Sequence, residues 1–334
     1  MSLTAELDKK EGPVTRWFND WLPNAKPIST DWNARLKSAS TLRPDTDQRI
    51  PGTVGTAFDY RLRYSLAVTP LHELRAASGI HLLDPQRDRR RPTRVAPDRF
   101  LALPRAPLAS AAPIIGLIDE FERELSAVLA ELAPVGRALD DGQEQLLCRY
   151  CYLLGLFEEL YRAGLRINSP LFSLERGATL DDALALAPQV WVDDLCALAR
   201  LLSSHLPELA HEPLFLNPTF AGSGAIGGAD ADLISAGCLF DVKTTVDPKF
   251  TRTRLLYQLL GYVLLDYDDA YEIRAVGIYL SRQGLLIKWP LAELLATLLD
   301  GKSMALAELR ESFRQAVRAA GVDSALGVKQ RPTQ

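Results

Sequence analysis

The sequence predicts an α/β protein in which a mixed central sheet is flanked by helices and preceded by a helix-rich N-terminal region. Residues 112–206 carry apolar side chains at helical spacing almost throughout. Residues 230–243 predict two strands joined by a tight turn, because polar and apolar residues alternate on both sides of an Ala-Gly pair. A helical apolar stripe at 252–267 then precedes a second predicted hairpin at 275–289, which extends the same sheet.

The composition is that of an ordinary globular protein. Of the 334 residues, 47% are hydrophobic and 24% are charged, so the chain can bury a large core as one elaborate domain or two. The net charge of −4 argues against binding nucleic acid through bulk charge, although it allows a local basic groove. The sequence contains no apolar signal core and no apolar run of membrane-spanning length, and its four cysteines are irregularly placed. We therefore expect a cytoplasmic protein with no membrane partner.

Four regions follow from these patterns. Residues 1–110 form an N-terminal helical region, 111–210 a helical region that packs on the core, 211–320 the core with the sheet, and 321–334 a tail. The first region contains an Arg- and Pro-rich run at 85–99, whose three prolines exclude a regular helix. This loop would contact phosphates if it is functional, and it is a solvated linker otherwise.

The turn at Ala236-Gly237 sets the register of the predicted hairpin. Glycine supplies the positive φ that such a turn needs, and a two-residue turn places the flanking residues directly opposite one another. The predicted pairs are Ser235 with Cys238, Asp232 with Asp241, and Asp230 with Lys243. Since opposed residues share a face, one face holds Asp230, Asp232, Asp241 and Lys243 with Ile234 and Leu239, and the other holds Ala231, Leu233, Phe240 and Val242.

Two carboxylates opposed across a hairpin call for a cation. Cross-strand Cβ atoms are only about 4.5–5.5 Å apart, so Asp232 and Asp241 would repel each other unless a positive ion lies between them. Mg²⁺ suits this position because it takes carboxylate oxygens, water and substrate phosphate as ligands, and Mn²⁺ is the alternative. Lys243 lies on the same face, where it could orient or deprotonate a water or stabilise charge on a phosphate.

These residues resemble a known family. The pattern Gly-x-Asp-x-Asp-Leu-Ile followed by Asp-x-Lys on the next strand is similar to the PD-(D/E)xK nuclease superfamily, which has the restriction-endonuclease-like fold. The following helix contains Gln258-Leu-Leu-Gly-Tyr262, which resembles the Gln-x-x-x-Tyr motif of the RecB and lambda-exonuclease branch. The resemblance covers roughly residues 215–290, and it departs from the superfamily pattern because no Pro precedes either first Asp.

The resemblance implies a metal-dependent nuclease with nucleic acid as its partner, DNA being favoured over RNA, and a role in defence against foreign DNA or in repair. It leaves open whether protein partners or a homo-oligomer are involved. The implied site consists of Asp232 and Asp241 as Mg²⁺ ligands, Asp230 as a supporting or alternative first ligand, Lys243 beside the attacking water, and Gln258 and Tyr262 holding Lys243 or the scissile strand.

An upstream acidic ligand is also implied, because nucleases of this superfamily often carry a Glu on a helix before the hairpin. Glu158 is the candidate, since it lies on the inward flank of its helix, although an ion pair on the helix explains it slightly better. Asp59 is the second candidate, because it stands where a Gly-Thr-x-x-His motif would have its His. A buried helix with Asp59 near its positive end explains this residue better.

Cys148-Arg-Tyr-Cys151 is a C-x-x-C motif in an apolar helical segment. A zinc site would need a second close pair, which the sequence lacks, so we expect buried structural thiols. Two other classes of function compete with the nuclease: an inactive nucleic-acid-binding or scaffolding member of the same fold, and an interaction protein whose acidic residues only solvate an edge hairpin.

Overall fold

The chain divides into two units that differ in their secondary structure. In the computed structural model, which describes residues 2–84, 108–131, 139–164, 168–247 and 252–327, the first unit comprises Met1–Thr41 and Pro207–Gln334. The second unit is the continuous segment Leu42–Leu206. The limits of the four predicted regions stay a prediction, since the units are defined by contacts and the regions by motif and composition.

The predicted α/β class is confirmed. The helices are α1 Leu3–Leu7, α2 Pro13–Trp21, α3 Lys26–Lys37, α4 Gly52–Leu66, α5 Arg75–Leu83, α6 Leu108–Glu131, α7 Asp141–Ala163, α8 Leu180–Leu184, α9 Gln189–Ser203, α10 Leu206–Leu209, α11 Arg252–Leu265, α12 Leu291–Leu298 and α13 Leu306–Gly327. The strands are β1 Leu214–Leu216, β2 Leu233–Ser235, β3 Cys238–Lys243, β4 Ala275–Leu280 and β5 Leu285–Pro290. None of the helices in the described ranges combines the length and the apolar character that a membrane crossing requires.

The five strands of the described residues form one mixed sheet in the first unit. Its order is β1-β2-β3-β4-β5, with β3 and β4 parallel and the other neighbours antiparallel. The parallel pair is connected through α11, which packs on both strands. Both predicted hairpins are therefore present, and the helix predicted between them provides the crossover that a parallel pair requires.

The turn of the first hairpin follows its prediction, but the ladder is shorter than expected. Ala236 and Gly237 have φ of 46° and 75°, and Ser235 pairs with Cys238. The ladder ends at Leu233↔Phe240. The predicted strand pairs Asp232–Asp241 and Asp230–Lys243 are therefore wrong.

The chain leaves the ladder because its backbone groups bind elsewhere. The amide of Ala231 donates to the carbonyl of Pro218 at 3.2 Å, and the amide of Asn217 donates to the carbonyl of Asp232 at 3.0 Å. Asp230 forms an isolated bridge with Thr219. These contacts direct residues 230–232 towards the extension of β1 and away from β3.

The acidic face of β3 is the face that α11 covers. Asp241 and Lys243 are in register with Ile278 and Leu280 of β4, so each pair shares a side of the sheet. On that side, Leu239, Ile278 and Leu280 belong to one buried apolar cluster with the α11 side chains. The face of β3 that carries Asp241 and Lys243 is therefore packed on an apolar core.

The N-terminal helices belong to the sheet-containing unit. α1 packs on α11, and α2 packs on α13. The indole of Trp17 donates to the hydroxyl of Ser312 at 2.8 Å. Trp17 and Trp32 are each 6% exposed, so both aromatic side chains anchor the core.

The second unit is built from helices α4 to α9. α7 is its central element, because it packs on α4, α5, α6, α8 and α9. Its buried side chains line much of its length, as the apolar stripe in the sequence predicts. Asp140 caps its first turn by accepting from the amide of Gln143 at 2.8 Å.

Two predicted segments lie partly or wholly outside the described ranges. The basic run at 85–99 falls outside them. The predicted tail from 321 begins inside α13, which continues to Gly327, and residues 328–334 are outside the described ranges.

Candidate active site

The centre of the candidate site is an ion pair on β3. Lys243 Nζ lies 2.5 Å from Asp241 Oδ2, and the two side chains are 31% and 3% exposed. The buried Oδ2 atom is therefore neutralised by the ammonium group of Lys243. A metal ion could bind this oxygen only in place of that ammonium group.

Asp232 reaches β3 through its side chain instead of its backbone. Its Oδ2 atom accepts from the amide of Val242 at 2.6 Å, the amide that follows Asp241. The carboxylate thus takes the place of the strand carbonyl that was lost when the ladder ended at Leu233. This hydrogen bond holds the Asp232 side chain against the strand that carries Asp241 and Lys243.

The Gln-x-x-x-Tyr motif lies beside these carboxylates. On α11, Gln258 Nε2 donates to the hydroxyl of Tyr262 at 2.8 Å, as their i, i+4 spacing predicts. Burial is the main cause that raises the pKa of the Tyr262 hydroxyl well above its usual value, and the charge of Asp241 raises it further. Asp232 and Asp230 act on the same hydroxyl in the same direction. The structure therefore brings the predicted motif and the predicted acids together.

The three carboxylates do not form one compact ligand set. Among the described residues, the only trio of His, Cys, Asp or Glu side chains whose ligand atoms all lie within 4.8 Å of one another is a different one, in the second unit. Two ligands of a Mg²⁺ ion at 2.0–2.1 Å are at most about 4.2 Å apart. One ion therefore cannot contact Asp230, Asp232 and Asp241 together in this arrangement.

The donors nevertheless fit a two-carboxylate Mg²⁺ site. Asp241 supplies a buried carboxylate, and Asp232 supplies a second carboxylate that is hydrogen-bonded to the same strand. Mg²⁺ is typically bound by one or two carboxylates, with water and substrate phosphate completing the coordination. Lys243 would have to turn away from Asp241 for a cation to approach Oδ2, because its ammonium group stands 2.5 Å from that atom.

A hydroxyl and amide network that the sequence does not reveal supports the end of β3. Ser281 Oγ donates to the carbonyl of Lys243 at 3.4 Å and accepts from the Thr244 hydroxyl at 3.0 Å. Gln283 Nε2 donates to the carbonyl of Thr245 at 3.2 Å. The one sequence signal for these residues is the turn predicted after β4. Their contacts fix the backbone from which Lys243 projects.

The two upstream acids lie in the second unit. Glu158 accepts from the hydroxyl of Tyr60 at 2.5 Å and from Arg162 Nε at 2.6 Å. Its side chain is 2% exposed, so the prediction that Glu158 points inward is confirmed, as is its helical ion pair. Its role as a ligand of the same metal ion stays a prediction.

Asp59 pairs with Arg63 one helical turn away. Burial is the main cause that raises the pKa of Asp59, Arg63 opposes it, and the charge of Glu158 adds to the rise. The two upstream candidates are therefore electrostatic neighbours.

No protein-family model matches this chain, and neither the curated proteins nor the solved structures contain a match to it. The family resemblance of the acidic hairpin therefore stays a prediction, which rests on this chain's own residues.

Proposed function

We propose that the protein is a metal-dependent nuclease with a restriction-endonuclease-like core, which hydrolyses phosphodiester bonds in DNA rather than RNA. The supporting observation is the Asp241–Lys243 pair on β3. The charge of the buried Asp241 carboxylate raises the pKa of the nearby Tyr262 hydroxyl, and the charges of Asp232 and Asp230 raise it as well. Carboxylates and a lysine beside a buried tyrosine are suited to phosphoryl chemistry. The proposed setting is cytoplasmic, in defence against foreign DNA or in repair.

Asp232 and Asp241 would hold the Mg²⁺ or Mn²⁺ ion. The bound ion would supply a Lewis acid for the phosphate and would lower the pKa of a coordinated water. Lys243 has a long flexible side chain that is 31% exposed, so it can turn from Asp241 towards a phosphate oxygen and stabilise the charge that develops there.

Gln258 and Tyr262 would act on the substrate side of Lys243. Their mutual hydrogen bond leaves the neutral Tyr262 hydroxyl able to donate its own proton. Like any tyrosine whose pKa is at or above the usual value, it is protonated at neutral pH, and it would position Lys243 or a phosphate oxygen by donating a hydrogen bond.

One alternative function has its own supporting observation. Lys243 already neutralises Asp241, and the three acids do not converge on a single ion position. Both features suit an inactive nucleic-acid-binding or scaffolding member of the same fold, in which the ion pair has replaced the metal.

A cleavage assay separates the two functions. Supercoiled plasmid, linear duplex DNA and RNA are incubated with the protein in Mg²⁺, Mn²⁺ or EDTA. The nuclease proposal predicts cleavage of DNA that requires metal, and a loss of at least about 100-fold in Asp241→Asn and in Lys243→Ala, since removing one preorganised electrostatic group typically costs 10²–10³ in rate. Glu272→Gln is the control, because this acid is 71% exposed and pairs only at the surface with Arg274.

The outcomes are distinct. DNA binding in a mobility-shift assay without cleavage in either metal would support the inactive module. Cleavage that persists in both Asp241→Asn and Lys243→Ala, with circular dichroism unchanged, would show that another site is responsible. If Mn²⁺ binds equally well with and without the carboxylates of Asp232 and Asp241, the hairpin has only a structural or interaction role.

A further inference from the structure

Two cysteines and a glutamate meet in the second unit. Glu144 and Cys148 lie one turn apart on α7, and Cys196 comes from α9. The Cys148 and Cys196 Sγ atoms are 3.7 Å apart, and Cys148 Sγ is 3.4 Å from Glu144 Oε1. All three ligand atoms lie within 4.8 Å of one another. The three side chains come from two helices, α7 and α9, that pack on each other, so no short sequence motif contains all of them.

These separations are close to those around a tetrahedral zinc ion. With Zn–S of about 2.3 Å and a tetrahedral angle, two thiolate ligands lie about 3.8 Å apart. With Zn–O of 2.0–2.2 Å, a sulfur and a carboxylate oxygen lie about 3.5–3.7 Å apart. The observed 3.7 Å and 3.4 Å differ from these values by a few tenths of an ångström at most.

The surroundings of Glu144 suit a metal ligand. Arg61 Nε donates to Glu144 Oε1 at 2.6 Å, and Arg61 Nη2 donates to Oε2 at 2.7 Å. This two-pronged contact fixes the orientation of the carboxylate, as outer-shell partners do in metal sites. Arg61 itself is 9% exposed and also donates to Ser65 Oγ at 2.5 Å. One oxygen can accept from Arg61 and still use its other lone pair on a metal.

The charges balance when zinc binds. A divalent ion and the Arg61 guanidinium carry three positive charges, and two thiolates and the Glu144 carboxylate carry three negative charges. Zinc binding then exchanges the ion for two thiol protons, so the buried cluster stays neutral. Soft thiolates select zinc over Mg²⁺ or Ca²⁺.

We propose that Glu144, Cys148 and Cys196 form a zinc site that ties α7 to α9. Three protein ligands leave the fourth tetrahedral position for a water molecule. A disulfide between Cys148 and Cys196 would need Sγ atoms about 2.05 Å apart, whereas they are 3.7 Å apart. It would also leave Glu144 and its buried partner Arg61 without a role in the cluster. This site is independent of the proposed nuclease function.

The experiment measures zinc stoichiometry in the full chain, purified without oxygen and with a phosphine reductant. The protein is stripped of metal with a chelator and titrated with Zn²⁺ against a chromophoric competitor, and Co²⁺ is used in parallel for its thiolate absorption. We expect one zinc per chain, and an affinity at least about 100-fold lower in Cys148→Ala and Cys196→Ala, since loss of an outer-shell partner alone costs 10–100-fold.

Matched controls come from the same chain. Cys151 lies one turn after Cys148 on α7 and is equally buried, but it is not in the trio, so Cys151→Ala should keep one zinc. Asp241→Asn should also keep it, because this residue belongs to the other unit. Glu144→Gln should weaken binding while it keeps the size of the side chain, which tests the site even if a cysteine variant fails to fold.

Several results would overturn the proposal. These are the absence of stoichiometric zinc in the wild-type chain at micromolar free metal, equal zinc binding in Cys148→Ala and Cys196→Ala, or a disulfide-linked peptide containing both cysteines in the reduced preparation. Native mass spectrometry of the wild-type chain gives the first result without any substitution.

Discussion

Asp232 has a structural contact and a proposed chemical role that two substitutions can separate. Its carboxylate accepts from the Val242 amide at 2.6 Å, where the strand ladder has ended. In Asp232→Ala this part-buried amide loses its acceptor. A fully buried donor without a partner costs about 1–3 kcal/mol, so we expect a loss near the lower end, about 1–2 kcal/mol. In Asp232→Asn an oxygen acceptor remains, so we expect a loss below about 1 kcal/mol. The proposed metal ligand loses its charge in both variants.

Urea unfolding measures the structural half of this prediction. Four of the five tryptophans, at 17, 21, 32 and 289, belong to the unit that contains Asp232, so tryptophan fluorescence reports mainly on that unit. Mn²⁺ titration measures the proposed role of Asp232 as a metal ligand, and we expect the affinity for Mn²⁺ to fall at least about 10-fold in both variants.

The reasoning about Asp232 fails in two cases. If Asp232→Ala is as stable as the wild-type chain, the side-chain contact with Val242 contributes nothing. If Asp232→Asn is destabilised as much as Asp232→Ala, the charge rather than the acceptor oxygen matters for stability.

Two further predictions concern packing and pH. A Cβ at Gly79 would lie 1.7 Å from the carbonyl oxygen of Phe157, whereas one at Gly116 would meet nothing within 4 Å. Gly79→Ala should therefore lower the free energy of unfolding by about 3 kcal/mol, whereas Gly116→Ala should leave it unchanged or raise it. Thermal unfolding followed by circular dichroism measures both variants, and equal melting temperatures would contradict the close approach at Gly79. Burial, and next the charge of Asp241, raise the pKa of Tyr262. The unfolded chain therefore ionises this phenol at lower pH than the folded chain, so stability falls above about pH 10. Tyr262→Phe should show a smaller fall in alkaline urea titrations, and an equal fall would refute this assignment.

The parts of the fold that depend on local chemistry could be predicted from the sequence. Gly237 with its positive φ explains why Ser235 pairs with Cys238, and the Gln258–Tyr262 contact follows from helical spacing. The Glu158–Arg162 pair is local in the same sense.

The parts of the fold that depend on contacts between distant residues could not be predicted from the sequence. The first hairpin ends early because the backbone around Asp232 binds Asn217 and Pro218, which a turn rule does not describe. The sulfur pair is also invisible locally, since Cys196 lies 48 residues after Cys148. The expectation that Cys148 and Cys151 are buried thiols is confirmed, but the sequence does not show that Cys196 lies beside Cys148.

The sheet-containing unit is assembled from both ends of the chain, and this has a consequence for synthesis on the ribosome. α1 and α2 emerge early, but their packing partners α11 and α13 are translated only after Leu42–Leu206. At about 5–20 residues per second this delay lasts tens of seconds. During that time Trp17 and Phe18, on the apolar face of α2, have no Phe313 ring to pack against. The Trp17–Phe313 and Phe18–Phe313 ring contacts therefore form only after nearly all of the described chain has been translated.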